Sequence, residues 1–291
     1  MADGSFAGAL GRALLRACRA DVEAFKPGNV AIGAPAHRMT AEDFLRSAEV
    51  VVAPLTDPQM ALGERIEAAV AATVAAVGCN TNLGIVLLLA PMADAALRAA
   101  AADWRGHLPT VLASTTVADG VAAARAIVRA HPAGLGAAPE ADVSGADLAG
   151  PGFNHTLYEA MALAAARDQI AHQYVSGYAT VLDMAAAFAS LRRAGATRED
   201  AVTATYLRQL SSQPDTHIAR KHGEAVATQV SQQVRDTIAG MPAPPHWMPA
   251  HIRRLAALHD ALLARQINPG TTADLVVAAA FAAELDEVQK F

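Results

Sequence analysis

The chain has 291 residues, of which 53% are hydrophobic and 18% charged. This composition provides enough apolar side chains for a packed core and excludes a largely disordered chain. The formal net charge is −5, and only three of the 23 basic residues are lysines, so the composition argues against nucleic-acid binding.

Alanine dominates the apolar residues. It supplies 72 of the 291 positions, whereas aromatic residues make up only 4%. Alanine is the best helix former, and the bulky residues that favour strands are scarce. No Ser-, Pro- or Gly-rich linker and no run of charges divides the chain. We therefore predict an all-α fold built as a single helical domain over residues 1–291.

The sequence shows no targeting or membrane segment. The longest strongly apolar run, Leu83 to Ala93, is about half of the ~20 residues that a bilayer-spanning helix needs. The N-terminus lacks a basic segment followed by an apolar signal region. Two cysteines, Cys18 and Cys79, are too few for a disulfide framework or a thiolate metal cage, and both are expected to be buried thiols. These features predict a cytoplasmic protein that binds no membrane.

Apolar residues at intervals of three and four predict a bundle of roughly ten helices. The first covers Phe6–Phe25 and ends at Lys26-Pro27-Gly28, because proline restricts the residue before it and glycine permits a turn. The second begins near Thr40, whose spacing to Asp43 is typical of a capping box. Further helices are predicted at 63–77, 83–89, 117–129, 156–173, 177–193, 198–211, 216–238, 250–267 and 272–285.

The longest predicted loop is the Gly-, Pro- and Asp-rich segment from His131 to Phe153. A long irregular stretch inside a compact domain frequently has a function, so this loop is a candidate functional segment.

Polar residues and glycines are concentrated at four helix junctions of this otherwise apolar chain. The four segments are Glu23–Val30 with His37 and Arg38, Gly78–Gly84, Pro214–Gly223 and Asn268–Asp274. Three of them lie where a helix should begin, and free backbone N–H groups together with the helix dipole suit phosphate there. Each segment alone is better explained as ordinary helix capping. Their joint occurrence favours one shared polar cleft.

Read together, the segments contain a set of ordered motifs. The set comprises Glu23 ahead of Lys26-Pro27-Gly28, a Pro35-Ala36-His37 turn, Asn80-Thr81-Asn82 opening an apolar helix, Asp215-Thr216 with basic residues through Lys221, and Pro269-Gly270-Thr271-Thr272-Ala273-Asp274-Leu275. In this order and over nearly the whole chain, the motifs resemble the triphosphoribosyl-dephospho-CoA synthase family.

The motifs also depart from the family pattern. The family usually has an aspartate after the first turn, where this chain has His37-Arg38-Met39. Leu83 stands where the family has a lysine, and Asn82 where it has a histidine. His217 stands where an asparagine is usual. The loss of two basic groups removes favourable charge from a polyphosphate site. The chain therefore resembles a divergent branch of the family, for which another acceptor or another ribosyl donor is an alternative.

The resemblance implies a pentosyltransferase reaction in which ATP and 3′-dephospho-CoA give 2′-(5″-triphosphoribosyl)-3′-dephospho-CoA and adenine. Breaking an N-glycosidic bond passes through a cation-like ribosyl centre, which calls for a nearby carboxylate and an acid for the departing base. The triphosphate calls for cations, including Mg²⁺ held by one or two carboxylates and the phosphates.

This chemistry assigns roles to the polar residues of the motifs. Glu23, Asp215 and Asp274 are the predicted carboxylates for Mg²⁺ or ribose, and His37 is the predicted acid, with His222 as its alternative. The predicted nucleotide and phosphate contacts come from Lys26, Gly28, Asn80, Thr81, Asn82, Arg220, Lys221, Gly270 and Thr272. His251 and His259 share a helix face and are interpreted as surface residues, since no carboxylates accompany them.

Three functions remain open at this point. The first is transfer from ATP to dephospho-CoA. The second keeps ribosyl transfer but uses another acceptor, for example a precursor of a tetrahydromethanopterin-type cofactor, or another phosphoribosyl donor. The third is a non-catalytic helical module that binds a nucleotide. A homodimer is compatible with each of them.

Overall fold

The computed structural model describes residues 3–99, 103–131 and 153–289. Within these ranges it contains fourteen α-helices, two isolated β-bridges and no strand, so the all-α class is confirmed. The helices are α1 Asp3–Glu23, α2 Ala41–Thr56, α3 Leu62–Val77, α4 Leu83–Ala99, α5 Trp104–Ala113, α6 Val117–Ala130, α7 Leu157–Ala164, α8 Gln169–Val175, α9 Ala179–Arg193, α10 Arg198–Ser212, α11 Thr216–His222, α12 Glu224–Ile238, α13 Pro249–Ala264 and α14 Gly270–Val288.

The helix number exceeds the predicted one for local reasons. The segment predicted as one helix over 156–173 is α7 and α8, because Asp168 accepts hydrogen bonds from the N–H groups of Ile170 and Ala171 and starts a new helix. The segment 216–238 is α11 and α12, which meet at Gly223 with a φ of 92°. Helix α5 was not predicted. The predicted loop 131–153 falls, except for its two end residues, outside the described residues.

Two predicted helix boundaries are confirmed in their chemistry. Thr40 and Asp43 exchange hydrogen bonds across the start of α2, as the capping-box spacing predicts. Helix α3 ends at Gly78, whose φ of 73° is the left-handed conformation that glycine adopts without steric cost.

The chain divides into two compact units. Unit 1 comprises Met1–Arg16, Arg46–Thr180 and Glu284–Phe291, and unit 2 comprises Ala17–Leu45 and Val181–Ala283. Organisation as one domain over residues 1–291 stays a prediction.

Unit 1 has the apolar helix α4 in its core. Pro91 lies inside α4 and has no N–H for the carbonyl of Leu87, which instead accepts a hydrogen bond of 2.7 Å from the hydroxyl of Tyr174. Tyr178 donates likewise to the carbonyl of Leu88. In the described part of the chain no single helix is long and apolar enough to cross a membrane, and the bent pair of α4 and α5 meets that requirement by length and composition alone.

Unit 2 holds three of the four polar junctions. Residues 17–45 contribute the end of α1 and the segment that joins it to α2, and residues 181–283 contribute α10 to α13 with most of α9 and α14. The apolar side of this unit includes Tyr206, Leu210, Leu262 and Phe281, all fully buried.

Candidate functional site

The turn at residues 26–29 is held by two backbone hydrogen bonds and one side-chain hydrogen bond to distant parts of unit 2. The carbonyl of Pro27 accepts a hydrogen bond of 2.7 Å from the hydroxyl of Tyr206, and the N–H of Gly28 donates to Nδ1 of His259 over 3.1 Å. The Asn29 amide donates to Oδ1 of Asn268 over 2.8 Å. The end of α1 is thereby fixed against α10, α13 and the segment before α14.

Gly28 occupies a position that no other residue fits. Its φ is 82°, and a Cβ atom there would lie 2.9 Å from Cδ1 of Leu262 and 3.0 Å from Cδ of Pro269. Both distances are shorter than a van der Waals contact, and the backbone conformation is unfavourable for an L side chain. The predicted role of Gly28 in binding a nucleotide is untested, but its place in the packing is clear.

Lys26 is fully buried, and its ammonium group lies inside the turn. Nζ is 2.9 Å from Oδ1 of Asp21 and donates to the carbonyl of Asp21 over 2.6 Å. Burial raises the pKa of Asp21, and the charge of Lys26 opposes that shift. Lys26 therefore balances a buried carboxylate in this structure, whereas the sequence predicted that it holds a phosphate.

Glu23 lies two residues after Asp21 at the end of α1 and is exposed. Its carboxylate pairs with Arg19 at 3.6 Å across one turn of α1. The sequence predicted Glu23 as a metal or ribose ligand and did not identify Asp21. A carboxylate five residues before a lysine at a helix end was the available signal for the buried pair.

His37 lies in a tight turn with unusual backbone geometry. Ala36 and Met39 exchange backbone hydrogen bonds, and both residues between them have positive φ, 55° for His37 and 65° for Arg38. Positive φ at non-glycine residues costs free energy and persists only where the surroundings enforce it. The Nε2 atom of His37 is 2.9 Å from the carbonyl oxygen of Gly28. Burial lowers the pKa of His37, and the nearby positive charges of Lys221 and His222 lower it further.

Asp215 is fully buried, and four donors reach its carboxylate. Oδ1 accepts hydrogen bonds from the N–H groups of His217 and Ile218 and so caps α11. Oδ2 accepts two bonds of 2.7 Å from Thr272, one from its N–H and one from its hydroxyl. Burial raises the pKa of Asp215, and these hydrogen bonds oppose the shift. The side chain joins the first turns of α11 and α14.

The short helix α11 carries most of the positive charge at this junction. Arg220 and Lys221 are exposed, whereas His217 and His222 are partly buried. Burial lowers the pKa of His217 to about 4, with further lowering by Arg220, Lys221, His37 and His222. The charge of Lys221 acts on both His217 and His37, whereas that of Arg220 acts on His217.

The beginning of α14 packs against α11. A Cβ on Gly270 would lie 3.4 Å from Nδ1 of His217, so a small residue is favoured beneath that ring. The hydroxyl of Thr216 donates to that of Thr271 over 3.2 Å. Thr272 is fully buried, and Asp274, in the next turn, is partly buried.

Asn80, Thr81 and Asn82 belong to unit 1. Oδ1 of Asn80 accepts a hydrogen bond of 3.1 Å from the N–H of Leu83 and thus caps α4. The hydroxyl of Thr81 is 2.6 Å from that of Ser47, and Asn82 is buried. Their predicted contacts with ribose or phosphate remain a prediction.

The predicted metal ligands do not form a metal site by themselves. Over residues 3–99, 103–131 and 153–289, no three His, Cys, Asp or Glu side chains come together as a group able to hold a metal ion. The carboxylate of Asp215 already accepts four hydrogen bonds, and Glu23 pairs with Arg19. This donor set does not fit a three-carboxylate magnesium site.

Unit 2 brings together three of the four motifs that the sequence singled out, but not as a simple cleft lining. Lys26 and Asp215 lie beneath the surface, whereas His37, Asp274 and the basic residues of α11 are nearer to solvent. Tyr206 and His259 support the turn and were not predicted. His259 in particular was interpreted as a surface residue, yet it is 7% exposed, because Phe25 and the backbone of Gly28 cover it.

Comparison with known proteins agrees with these motifs. The family model of ATP:dephospho-CoA triphosphoribosyl transferase matches residues 7–291. A crystal structure from Archaeoglobus fulgidus, described as a triphosphoribosyl-dephospho-CoA synthase, has a similar fold with a TM-score of 0.62 and 20% sequence identity, covering 83% of this chain and 96% of that one. No curated protein matches the chain significantly. The match over residues 7–291 shows that the chain belongs to the ATP:dephospho-CoA triphosphoribosyl transferase family.

Proposed function

We propose that the protein transfers the triphosphoribosyl group of ATP to 3′-dephospho-CoA and releases adenine. The family match over residues 7–291 is the observation that carries this proposal. The geometry of unit 2 supports it, because the turn at 26–29, α11 and the beginning of α14 are joined by direct hydrogen bonds.

The reaction requires charge stabilisation and proton transfer at the ribose. The bond from the ribose to adenine breaks with its electron pair going to the base, so the base needs a proton and the ribosyl carbon becomes cation-like. His37 is the side chain that we assign to proton donation, because it is partly exposed and held by the Gly28 carbonyl. We assign Asp274 to the ribosyl cation.

The triphosphate requires positive charge and hydrogen-bond donors. Arg220 and Lys221 are exposed on α11, in contrast to the buried Lys26, and provide positive charge there. Magnesium that arrives with the triphosphate would add charge that these side chains do not supply. No step assigned here depends on it.

The departures in the second motif keep another acceptor or donor as a second candidate. The start of α4 has Asn82 and Leu83 where the family has basic residues. The side-chain oxygen of Asn80 accepts a hydrogen bond from the backbone N–H of Leu83. A tetrahydromethanopterin-type cofactor precursor is the alternative acceptor, and phosphoribosyl pyrophosphate the alternative donor.

Adenine release tests these candidates directly. The purified protein is incubated with ATP and Mg²⁺, with and without dephospho-CoA, and adenine and the coupled product are separated by chromatography. Release that depends on dephospho-CoA, with a product larger by one triphosphoribosyl group, supports the proposal. Adenine release without dephospho-CoA means that water takes the ribosyl group. Release that requires a tetrahydromethanopterin-type precursor added in place of dephospho-CoA points to the alternative acceptor. No release with either acceptor, with ATP binding retained, supports a non-catalytic module.

A further inference from the structure

The backbone of Gly28 connects two histidines that are far apart in the sequence. Its N–H donates to Nδ1 of His259 over 3.1 Å, and its carbonyl oxygen lies 2.9 Å from Nε2 of His37. Leu262 and Pro269 leave too little room for a side chain at this position, so the backbone N–H and carbonyl of Gly28 are closely packed. His259 therefore reaches His37 through one residue of backbone.

These contacts fix which ring nitrogen of His37 carries a proton. A carbonyl oxygen only accepts hydrogen bonds, so Nε2 of His37 must be the donor. In the neutral ring the other nitrogen, Nδ1, then has a lone pair, and in the protonated ring it has a second N–H. Nδ1 is consequently the atom of His37 able to exchange a proton with a substrate.

The same reasoning fixes the protonation of His259. Its Nδ1 accepts from the N–H of Gly28, which requires that nitrogen to carry no proton. Burial lowers the pKa of His259 and thereby favours this neutral form, whereas the charge of Asp260 and the backbone of Lys26 raise the pKa. The ring packs on Phe25 with centroids 5.1 Å apart.

We propose that His259 is a positioning residue for His37. By accepting a hydrogen bond from the N–H of Gly28, His259 fixes the orientation of Gly28. The Gly28 carbonyl then accepts the hydrogen bond from Nε2 of His37, so that Nδ1 of His37 is available to the departing base. The catalytic part of this inference rests on the proposed function, whereas the positioning part concerns the protein alone.

The proton balance of the step is simple. The lowered pKa of His37 makes its protonated form a minor species near neutral pH but a stronger acid. This form gives the Nδ1 proton to adenine as the bond between ribose and base breaks, and it keeps the Nε2–H bond to Gly28. The 2′-hydroxyl of the acceptor forms the new bond to the ribosyl carbon and loses its proton to water, and His37 regains a proton from solvent. The charge of Lys221 on α11 acts on His37.

Two substitutions of His259 separate its hydrogen bond from its bulk. In His259→Asn the amide oxygen replaces Nδ1 as acceptor, whereas His259→Leu has no acceptor. We expect His259→Leu to lower kcat for adenine release roughly tenfold, a part of the 10²- to 10⁴-fold that a general acid contributes. KM for ATP should change by less than about twofold, because the loss concerns the transition state. His259→Asn should recover most of kcat.

Nitrogen-15 NMR of the histidine rings provides a readout besides activity. His37 signals are assigned by their loss in His37→Gln. The wild-type protein should show the Nε2–H tautomer for His37, His259→Asn should retain it, and His259→Leu should show a mixture of tautomers. Phe25→Leu is the control, since it removes the ring packing on His259 and leaves the hydrogen bond to Gly28.

Several outcomes would overturn the proposal. An Nδ1–H tautomer of His37 in the wild-type protein does so even if His259→Leu fails to fold. An unchanged His37 tautomer and kcat in His259→Leu, or equal losses in Phe25→Leu and His259→Leu, do so as well. If the wild-type protein releases no adenine, the proposed function fails, while the tautomer measurements still decide the positioning of His37.

Discussion

Asp215 and Thr272 are 57 residues apart and are joined by two hydrogen bonds of 2.7 Å, one to the Thr272 N–H and one to its hydroxyl. The other carboxylate oxygen of Asp215 caps α11. The side chain thus links two helix starts that carry candidate substrate contacts. Because Asp215 is buried, we expect its loss to affect the stability of the fold more directly than substrate binding.

The first prediction concerns this link. Asp215→Ala leaves two helix N–H groups of α11 and both donors of Thr272 without their acceptor, and should lower the free energy of unfolding by about 3 kcal/mol or more. Urea denaturation followed by circular dichroism measures it. Thr272→Val removes only the hydroxyl contact and should cost about 1 kcal/mol. Equal, small losses for both variants would contradict the linking role.

Two glycines with similar backbone conformation test the close approach at the turn. Gly28 and Gly33 have φ of 82° and 73°, but a Cβ on Gly33 meets nothing within 4 Å. Gly33→Ala should therefore cost about 1 kcal/mol for the backbone alone, and Gly28→Ala at least about 2 kcal/mol more, because Leu262 and Pro269 must move. Melting temperatures of the two variants provide the comparison, and similar values would refute the packing argument.

Lys26 and Lys221 should respond differently to the loss of charge. Lys26→Met leaves Asp21 buried without its partner and should destabilise the fold by about 3 to 5 kcal/mol. Lys221→Met changes an exposed side chain and should leave the melting temperature nearly unchanged but raise KM for ATP. The measurements are thermal unfolding and steady-state kinetics. A stable Lys26→Met variant with weakened ATP binding would restore the phosphate contact that the sequence predicted for Lys26.

His217 predicts a dependence of stability on pH. The pKa of His217 in the folded protein, about 4, is lower than the ordinary histidine value of 6.5, so the unfolded chain takes up the proton first as the pH falls. The contribution of neutral His217 to the free energy of unfolding is complete above about pH 6.5 and is lost as the pH falls toward 4. At pH 5 the loss is about 2 kcal/mol.

The variant His217→Asn isolates this effect, because asparagine does not titrate. Unfolding free energies at pH 7 and pH 5 should fall further for the wild-type protein than for His217→Asn. The raised pKa values of Asp21 and Asp215 act in the opposite direction, but they are common to both proteins and cancel in the comparison. An equal change with pH in both proteins would show that the pKa of His217 is not lowered in this way.

Asp274 distinguishes catalysis from capping. Helix α14 begins at Gly270, so Thr271 already lies inside the helix and is not its cap. Asp274→Asn keeps the volume of the side chain and removes its charge. We expect turnover to fall at least about 100-fold, the scale of one electrostatic contact in the transition state, with a loss of stability of about 1 kcal/mol or less. A less stable variant with full adenine release would return Asp274 to a structural role.

The sequence predicted the helices well where their signals are local. The Thr40–Asp43 spacing and the Gly78 interruption each depend on residues a few positions apart, and both appear as predicted. Asp168 and Gly223 each divide a predicted helix, because apolar periodicity continues across a break that the backbone makes.

The site could be predicted only in part, because residue type does not reveal burial or partner. Of the four segments predicted to share one cleft, the turn at 26–29 and the starts of α11 and α14 lie in unit 2, whereas the segment at 78–84 lies in unit 1. Periodicity could not show that Lys26 is paired with Asp21 or that His259 is covered by the backbone of Gly28. The burial of His259 depends on a contact with Gly28, which lies more than 200 residues away in the sequence.

The turn at 26–29 also has a consequence for how the chain is made. It leaves the ribosome before its partners Tyr206, His259 and Asn268, which follow 179, 231 and 239 residues later. Closing loops of this length costs chain entropy, which must be overcome before these hydrogen bonds can stabilise the turn. The candidate site is consequently completed only after Asn268 has been added to the chain, and a chain that stops before residue 259 lacks two of the three hydrogen bonds that tie the turn to these residues.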